Sequence, residues 1–383
     1  MATFKFKKPR LLSHYYVRFE PPDQYGDEVL HFSSERRKIT LKGHSFREFQ
    51  QRVIPLLDGE HTLEEIHARV SDIFEIGDLE QGLNLLAENR LLDDADETRL
   101  PAALRTALEP QLNFFHEMNW DAAEVQERLL RATVTLVGLG GVGASAALSL
   151  AAAQVGNLRV IDPHPVAATD PYLSPVFSLD DQGAPRVEVL RRKIAGLSPA
   201  VRVQASSDTL DSDAAVLEGI QGSDFVLCTV DAGLAGVFYR LNRACLNARI
   251  RWTSCAVSGF EGVLGPTVHP FETPCYLCYK MRAVACAENP EDDFAFQRFL
   301  DRRKQDDSGR RENLVFGVST MGNLLGLEAL KELTGLVPPS ALGRIVVLDF
   351  VELTSKKHLV LRKPWCPACG ATSGERSNLP AGK

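Results

Sequence analysis

The sequence predicts an α/β protein whose main domain is a mostly parallel, doubly wound sheet, preceded by a smaller module of strands and helices. Three observations support this. Over the last two-thirds of the 383 residues, continuous apolar strand patterns alternate with helical patterns. This alternation is typical of parallel sheets covered by helices on both faces. A glycine loop, Gly138 to Gly143, lies between the first of these strands and its helix. Two Cys-x-x-Cys pairs follow much later in the chain and indicate a metal site.

Composition and charge exclude several classes of protein. The 43 Lys and Arg against 50 Asp and Glu give a net charge of −7, which disfavours a broad nucleic-acid surface. No apolar stretch is long enough to span a bilayer, and the basic N-terminus is not followed by the apolar block of a signal peptide. We therefore expect a cytoplasmic protein. In that reducing compartment, cysteine pairs are metal ligands more often than disulfides.

The first domain, residues 1–93, is predicted to be a winged-helix-like α+β module. Three short runs rich in aromatic and β-branched residues predict strands, and three helical patterns follow them. The second helix begins at a capping box formed by Thr62 and Glu65, and Asp78 is expected to cap the third. The predicted strands are residues 14–19, 28–32 and 37–41, and the first helix begins at Ser45.

Winged helices commonly bind DNA, but the charge of this module argues against that. Residues 1–93 carry 13 Lys and Arg against 16 Asp and Glu, so they cannot neutralise the phosphates of a duplex. A peptide added as a strand beside Arg37, Ile39 and Leu41 fits better, with its apolar side chains in a groove on the third helix. The alternative is that the leucines of this helix pack the domain's own core. These leucines are Leu79, Leu83 and Leu86.

The rest of the chain is predicted to form a linker with a helix (94–130), the main domain (131–372) and a flexible tail (373–383). A charge-dense segment, residues 286–313, is predicted to be a long mobile excursion. Cys286 at its start is a candidate reactive thiol, and the alternative is an incidental exposed thiol. The main domain's predicted strands are residues 133–138, 158–162, 224–229, 250–257, 344–351 and 358–361, and its helices are 142–155, 186–195, 234–247 and 321–333.

Cys275, Cys278, Cys366 and Cys369 are predicted to bind one structural zinc ion. Two pairs of the same spacing supply the four thiolates of a tetrahedral site, with Zn–S bonds of roughly 2.3 Å and no open position for chemistry. The identical spacing disfavours two unrelated redox or buried thiol pairs. The metal is expected to attach a late loop to the C-terminal end of the domain.

The glycine loop predicts a nucleotide site. Gly138, Gly140, Gly141 and Gly143 follow a strand and precede a helix, which places backbone N–H groups where a phosphate could lie. Asp162, at the end of the next strand, is placed to bind a ribose hydroxyl. The motif alone is weak, because it also fits a dinucleotide fingerprint, and the glycines could serve tight strand–helix packing only.

Taken together, the motifs between residues 133 and 370 resemble the ubiquitin-activating (E1-like) family, in particular the ThiF/MoeB-type enzymes that adenylate the sulfur carriers of molybdopterin and thiamine synthesis. The resemblance implies that Asp162 holds ribose, that Asp231 lies near magnesium and the phosphates of ATP, and that Arg186 stands at a lysine position. The matching stretches are the glycine loop, Val160-Ile-Asp162, Gly183-Ala-Pro-Arg186, Asp224 to Asp231, the Pro-Cys-x-x-Cys motif and the final Cys-x-x-Cys-Gly.

The sequence departs from this family where the ATP chemistry would take place. Leu173 and Asp170 stand at the family's arginine and asparagine, and His164 replaces the second acidic residue of an Asp-x-Asp pair. Loss of a phosphate-binding arginine removes several kcal/mol of transition-state stabilisation, and Asp170 adds negative charge beside a triphosphate. We therefore expect a degenerate or inactive ATP site, which makes ATP and magnesium doubtful cofactors.

The first domain and the E1-like domain together resemble two groups of proteins that modify ribosomally synthesised peptides. One is the leader-peptide-binding partner of YcaO-type azoline cyclodehydratases, in which ATP binding is commonly lost, and the other is the microcin C-type adenylating enzyme. We expect a non-catalytic subunit that binds the leader of a precursor peptide and presents the core to a YcaO-type cyclodehydratase. The resemblance also implies a homodimer. The alternative is an active adenylyltransferase acting on a peptide carboxylate. Only the glycine loop would support an NAD-dependent oxidoreductase.

Overall fold

The protein forms two compact units, residues 1–127 and residues 128–383. The computed structural model describes residues 4–21, 28–96, 99–230, 235–303 and 313–370. The predicted α/β class with a mostly parallel sheet is confirmed. None of the helices in these described ranges is long and apolar enough to cross a membrane.

The first unit contains a three-stranded antiparallel sheet. Its strands β2, β3 and β4 lie in that order, so β2 and β4 are the two edges, and each overlaps a strand predicted from the sequence. A tight turn joins β3 to β4, with the Ser34 N–H donating to the Arg37 carbonyl at 2.9 Å. Two short strands, β1 and β5, pair separately. The bounds are β1 Pro9–Leu11, β2 Tyr16–Glu20, β3 Glu28–Ser33, β4 Lys38–Gly43 and β5 Leu92–Asp94.

The helical segment that follows β4 is irregular. The short helix α1 (Phe46–Glu48) continues into a π-helical turn and then a 3₁₀ turn that ends at Leu56. Pro55 lies in the 3₁₀ turn, where its missing N–H cannot support a regular α-helix. The next helix, α2 (Leu63–Val70), begins at the capping box predicted for Thr62, which is confirmed.

The third helix, α3 (Ile76–Glu88), corrects the prediction for Asp78. Glu75 occupies the N-cap position, so the helix begins three residues earlier than it would with Asp78 as its cap. Asp78 lies instead in the first turn, where its negative charge interacts favourably with the helix dipole.

The region predicted as a linker contains helices of the first unit. α4 (Ala102–Ala107) and α5 (Glu109–Glu117) precede α6 (Ala122–Arg131), which crosses the boundary between the units. The buried Arg105 of α4 donates from Nη1 to the Asp93 carboxylate of β5 at 2.6 Å. This segment is therefore held to the first unit by a buried ion pair.

The second unit is built on one eight-stranded sheet. Its strands are β6 (Thr133–Val137), β7 (Asn157–Ile161), β8 (Arg202–Ser206), β9 (Phe225–Cys228), β10 (Arg251–Ser258), β11 (Glu261–Leu264), β12 (Arg344–Asp349) and β13 (Thr354–Leu359). Their order across the sheet is β13-β12-β11-β10-β9-β6-β7-β8. The five from β10 to β8 in this order are parallel, and β11 to β13 extend the sheet antiparallel. β8 and β11 were not predicted from the sequence.

Helices cover this sheet. The charge-dense segment predicted as a mobile excursion contains a helix, α13, while residues 304–312 lie outside the described residues. The longest helix, α14, packs on α7, and a Cβ at Gly322 would lie 2.5 Å from the Ser145 Cβ, so glycine permits this close approach. The helices are α7 (Gly141–Ala152), α8 (Asp170–Leu173), α9 (Arg186–Leu197), α10 (Asp213–Ile220), α11 (Ala235–Ala248), α12 (Tyr276–Ala285), α13 (Pro290–Arg303) and α14 (Val315–Thr334).

The topology brings the glycine loop and Asp162 together at the carboxyl ends of the parallel strands. β6 is central, with β7 on one side and β9 on the other. Because the chain reverses its direction of winding at this point, the loops after these strands leave a crevice at their carboxyl ends. The glycine loop follows β6, and Asp162 directly follows β7.

Candidate functional site

The glycine loop is tightly packed against the end of β9. Gly138 has φ +89°, and a Cβ there would lie 2.8 Å from the backbone N of Val230. A Cβ at Gly143 would lie 2.0 Å from the Gly138 carbonyl oxygen, so neither position accepts a side chain. Gly140 is the N-cap of α7, and the helix begins at Gly141. A Cβ at Gly141 would lie 2.4 Å from Val318 Cγ1, so close packing accounts for three of the four glycines. The loop still presents the N-terminus of a helix to the crevice.

Asp162 is buried, and both of its carboxylate oxygens accept hydrogen bonds. One carboxylate oxygen accepts from the Leu139 N–H at 2.6 Å, and the other accepts from the His164 N–H at 2.8 Å and lies 2.9 Å from His164 Nδ1. Burial acts to raise the pKa of Asp162, but the hydrogen bonds from His164 and the charge of Arg186 outweigh it and lower the pKa. The carboxylate predicted to hold a ribose therefore holds the glycine loop and its own neighbour.

Arg186 is engaged by a carboxylate of the same site. Its Nε donates to Asp170 Oδ2 at 2.7 Å and its Nη2 donates to Asp170 Oδ1 at 3.0 Å, while Nη1 lies 3.6 Å from Asp162. Both partners of this two-point pair are buried. The resemblance placed Arg186 at a lysine position and Asp170 at an asparagine position, and the structure joins these two departures in a single ion pair.

A cavity of about 240 Å³ opens beside the glycine loop. Arg186 is the one lysine or arginine among the described residues that line it, and His164 also reaches it. Leu173, at the position of the family's arginine, lines the neighbouring cavity. Asp231 lies outside the described residues.

Residues after β8 also line this cavity, and the sequence analysis missed them. Asp208, Thr209 and Leu210 follow a short strand with little apolar content, which is why β8 itself was not recognised. The alternation of Val203 and Ala205 with polar residues is the signal that could have identified it.

The four cysteines of the two Cys-x-x-Cys pairs come together. All are buried, and their sulfurs lie within 4.8 Å of one another. The Sγ atoms of Cys275 and Cys366 are 3.7 Å apart, and those of Cys278 and Cys369 are 3.6 Å apart. Ligands of a tetrahedral zinc with bonds of about 2.3 Å are separated by about 3.8 Å, whereas a disulfide requires about 2.05 Å. The set therefore fits a four-coordinate metal ion.

The remaining cysteines divide into three buried thiols and one exposed thiol. Cys228, Cys245 and Cys255 lie in the core, and burial raises the pKa of Cys228 to about 12. Cys286 is exposed at the C-terminal end of α12. Its role as a reactive thiol stays a prediction.

The candidate peptide site of the first unit is partly corrected. Leu79, Leu83 and Leu86 are 0, 0 and 1% exposed and pack in the unit's own core, so they offer no open groove to a peptide. Ile39 and Leu41 lie on the edge strand β4, and Arg37 immediately precedes it. The edge of the sheet therefore remains as the candidate surface.

Comparison with known proteins places these features in a family. The ThiF family model matches residues 109–368. The sulfur carrier protein adenylyltransferase of Thermus thermophilus is 30% identical over 259 residues, which cover 66% of this chain and 88% of that protein. The molybdopterin-synthase adenylyltransferase of Escherichia coli is 28% identical over 250 residues, which cover 64% and 90%.

The fold resembles solved structures over a longer part of the chain. A structure of E. coli MccB with an MccA peptide matches with a TM-score of 0.66 and 16% identity, covering 95% of this chain and 99% of that one. PaaA matches with a TM-score of 0.60 and 20% identity, covering 74% and 92%. These likenesses concern the fold, whereas the sequence matches settle the ancestry. The chain belongs to the ThiF family of E1-like proteins, as its motifs suggested.

Proposed function

We propose that this ThiF-family protein binds the leader of a ribosomally synthesised precursor peptide and presents the peptide to a YcaO-type cyclodehydratase. The observation that carries the proposal is the buried ion pair of Arg186 with Asp170. In this pair the arginine that lines the glycine-loop cavity is already bound to a carboxylate. With its cavity arginine already paired, the protein would offer little stabilisation to a triphosphate and would contribute most readily by binding. Holding a leader would raise the effective concentration of the attached core at the partner enzyme.

The edge of β4 supports the binding step. The Ser34–Arg37 hydrogen bond defines a hydrogen-bonded pair at the turn, and such pairs alternate with non-hydrogen-bonded pairs along an antiparallel ladder. Thr40 pairs with His31 three positions further along the register, so the Thr40 N–H and carbonyl point away from β3. β4 is an edge of its sheet, and its outward groups are placed to pair with an added strand.

The likeness to MccB adds support because it extends over the first unit as well as the second. The structures of that protein include complexes with MccA. A chain of the same fold over 95% of its length is suited to a peptide ligand of the same general kind.

The second candidate function is adenylation of a peptide carboxylate. The relatives named above are adenylyltransferases, and the cavity beside the glycine loop has room for part of a nucleotide. Against it, a triphosphate needs cationic partners during reaction. Here Arg186 is paired with Asp170, and Leu173 brings no charge.

We further propose that Cys275, Cys278, Cys366 and Cys369 bind a structural zinc ion and that the protein is a homodimer through its second unit. Four buried thiolates leave no position for a substrate, so the metal would stabilise the fold. β13 is an edge strand with all six residues exposed, and the nearby Leu353 is 80% exposed. A second copy would cover such a surface.

Two measurements on the full-length protein test the proposal. Fluorescence anisotropy with the labelled leader of its precursor peptide should show binding that Thr40→Pro weakens at least about tenfold, because proline removes the outward N–H. The matched control Thr40→Val keeps the N–H and should bind within about twofold of the original protein. No ATP–pyrophosphate exchange should accompany binding. Equal binding by the proline variant would contradict strand addition, and robust exchange would favour the adenylyltransferase.

A further inference from the structure

The free edge of β4 carries a local charge opposite to that of its surroundings. Residues 35–42 contain four basic residues and one acidic residue, a net charge of +3, whereas residues 1–93 have 13 basic against 16 acidic residues, a net charge of −3. The basic residues are Arg36, Arg37, Lys38 and Lys42, and the acidic one is Glu35. The same sign recurs at residues 5–10, which hold four basic residues and no acidic one, but there Lys7 and Arg10 are paired with Asp96 and Asp93.

Two of these charges are exposed and have no carboxylate partner. Among the residues that the structure describes, Lys38 and Lys42 form no ion pair, and both are exposed. Other basic side chains of the same unit are paired: Arg18 with Glu20 on β2, and Arg52 with Asp72 at 3.1 Å. Other basic residues of the unit also lack an ion pair among the described residues, but Lys38 and Lys42 are the two that lie on the edge strand β4.

The register places both lysines where an added strand would meet them. Lys38, Thr40 and Lys42 share one face of β4, because side chains alternate along a strand, and all three point their N–H groups to the free edge. Residues directly opposite one another on neighbouring strands have Cβ atoms about 4.5–5.5 Å apart. Whichever way the added strand runs, the residues opposite Lys38 and Lys42 lie four positions apart on a single face.

We propose that the peptide segment that pairs with β4 is acidic at the two positions opposite Lys38 and Lys42 and apolar at the two intervening positions that share a face with Ile39 and Leu41. This inference rests on the proposed function and specifies its ligand. Ile39 and Leu41 face the inner, core side of the sheet, so apolar residues of the added strand would extend that layer. Opposite charges across neighbouring strands stabilise the pairing, and like charges oppose it.

The test uses two fluorescein-labelled nine-residue peptides and the full-length protein. One peptide carries the central sequence Glu-Val-Thr-Val-Glu, and the other carries Lys-Val-Thr-Val-Lys. The glutamate peptide should bind the original protein, and Lys38→Glu combined with Lys42→Glu should weaken it about tenfold or more. The lysine peptide should show the reverse preference, and this gain of binding shows that the double variant is folded. Raising the salt concentration should weaken both matched pairs.

The outcomes separate the charge rule from the proposed function. Equal binding of the two peptides by the original protein, or no binding of the glutamate peptide, overturns the acidic pattern. If the precursor leader binds and Thr40→Pro weakens it but charge reversal does not, strand addition stands and the charge rule fails. If the precursor leader does not bind at all, the proposed function fails. Tight binding of an oligothymidylate that the double reversal abolishes would assign the edge to phosphate and overturn the proposal.

Discussion

The buried pair of Arg186 with Asp170 predicts a large coupling energy between these two residues. We would replace Asp170 by leucine and Arg186 by methionine, singly and together. The two hydrogen bonds of 2.7 and 3.0 Å imply charge centres about 4 Å apart, for which Coulomb's law gives about 4 kcal/mol at an effective dielectric constant of about 20. Removing one partner of a buried pair typically costs about 3–5 kcal/mol.

The two single variants should differ. Asp170→Leu leaves Arg186 beside Asp162 at 3.6 Å, which offsets part of the lost attraction, so its cost should lie near about 3 kcal/mol. Arg186→Met leaves the Asp170 carboxylate buried with the Ala167 N–H, at 3.0 Å, as a remaining donor. Its cost should therefore be the larger. The double variant replaces both charges by apolar groups of similar size and should approach the stability of the original protein.

Urea unfolding followed by circular dichroism measures the four stabilities, and the double-mutant cycle gives the coupling. A coupling energy of about 2 kcal/mol or more is expected. A value below about 0.5 kcal/mol, with near-additive single effects, would show that the pair is not formed. Asp170 would then not withhold Arg186 from a phosphate, and an adenylyltransferase would be the better supported function.

Three further predictions follow from the cysteines and from Asp93. Elemental analysis should give about one zinc per chain. Cys366→Ser should lose the metal, whereas the control Cys286→Ser should keep it. A folded, metal-free protein with all four ligand thiols titratable would contradict the zinc site. Maleimide should modify the exposed Cys286 of the native protein first, because Cys228 is buried with a pKa raised to about 12. Modification of Cys228 at a similar rate would contradict its burial in the core. Burial acts to raise the pKa of Asp93, but His116 and two arginines outweigh it, so the pKa is lowered overall. The carboxylate therefore stabilises the fold above its unfolded pKa of about 3.9, and this stability is lost as the pH falls through the folded pKa. The difference in melting temperature between the original protein and Asp93→Asn should therefore be largest above about pH 5 and should shrink in more acidic solution, and a difference independent of pH would contradict this account.

Local signals made part of this structure predictable. The run from Thr133 through the glycine loop into α7 joins an apolar strand, tight-turn residues and a helix, and the structure has all three in order. The capping box of Thr62 depends on residues three apart and was found for the same reason. The four cysteines were matched by their equal spacing, although 91 residues separate Cys275 from Cys366.

Features that depend on tertiary packing were not predictable. The pattern of Leu79, Leu83 and Leu86 describes one apolar face of a helix, and that face fits a peptide groove and a core equally well. The pair of Asp170 with Arg186 joins residues 16 positions apart. The resemblance indicated that each departs from the family, but only the fold shows that the two residues form an ion pair with each other.

The cysteine cluster has a consequence for how the second unit comes apart. A metal bound by Cys278 and Cys366 would close a loop containing most of α12, all of α13 and α14, and the strands β12 and β13. Closing a loop of this size removes much of the freedom of the unfolded chain, which in the comparable case of a disulfide is worth about 4–5 kcal/mol. Among the strands that the structure describes, β13 is the outermost and pairs only with β12. With the metal bound it could not peel away and take the C-terminal segment with it, so fraying at this edge would require release of the ion.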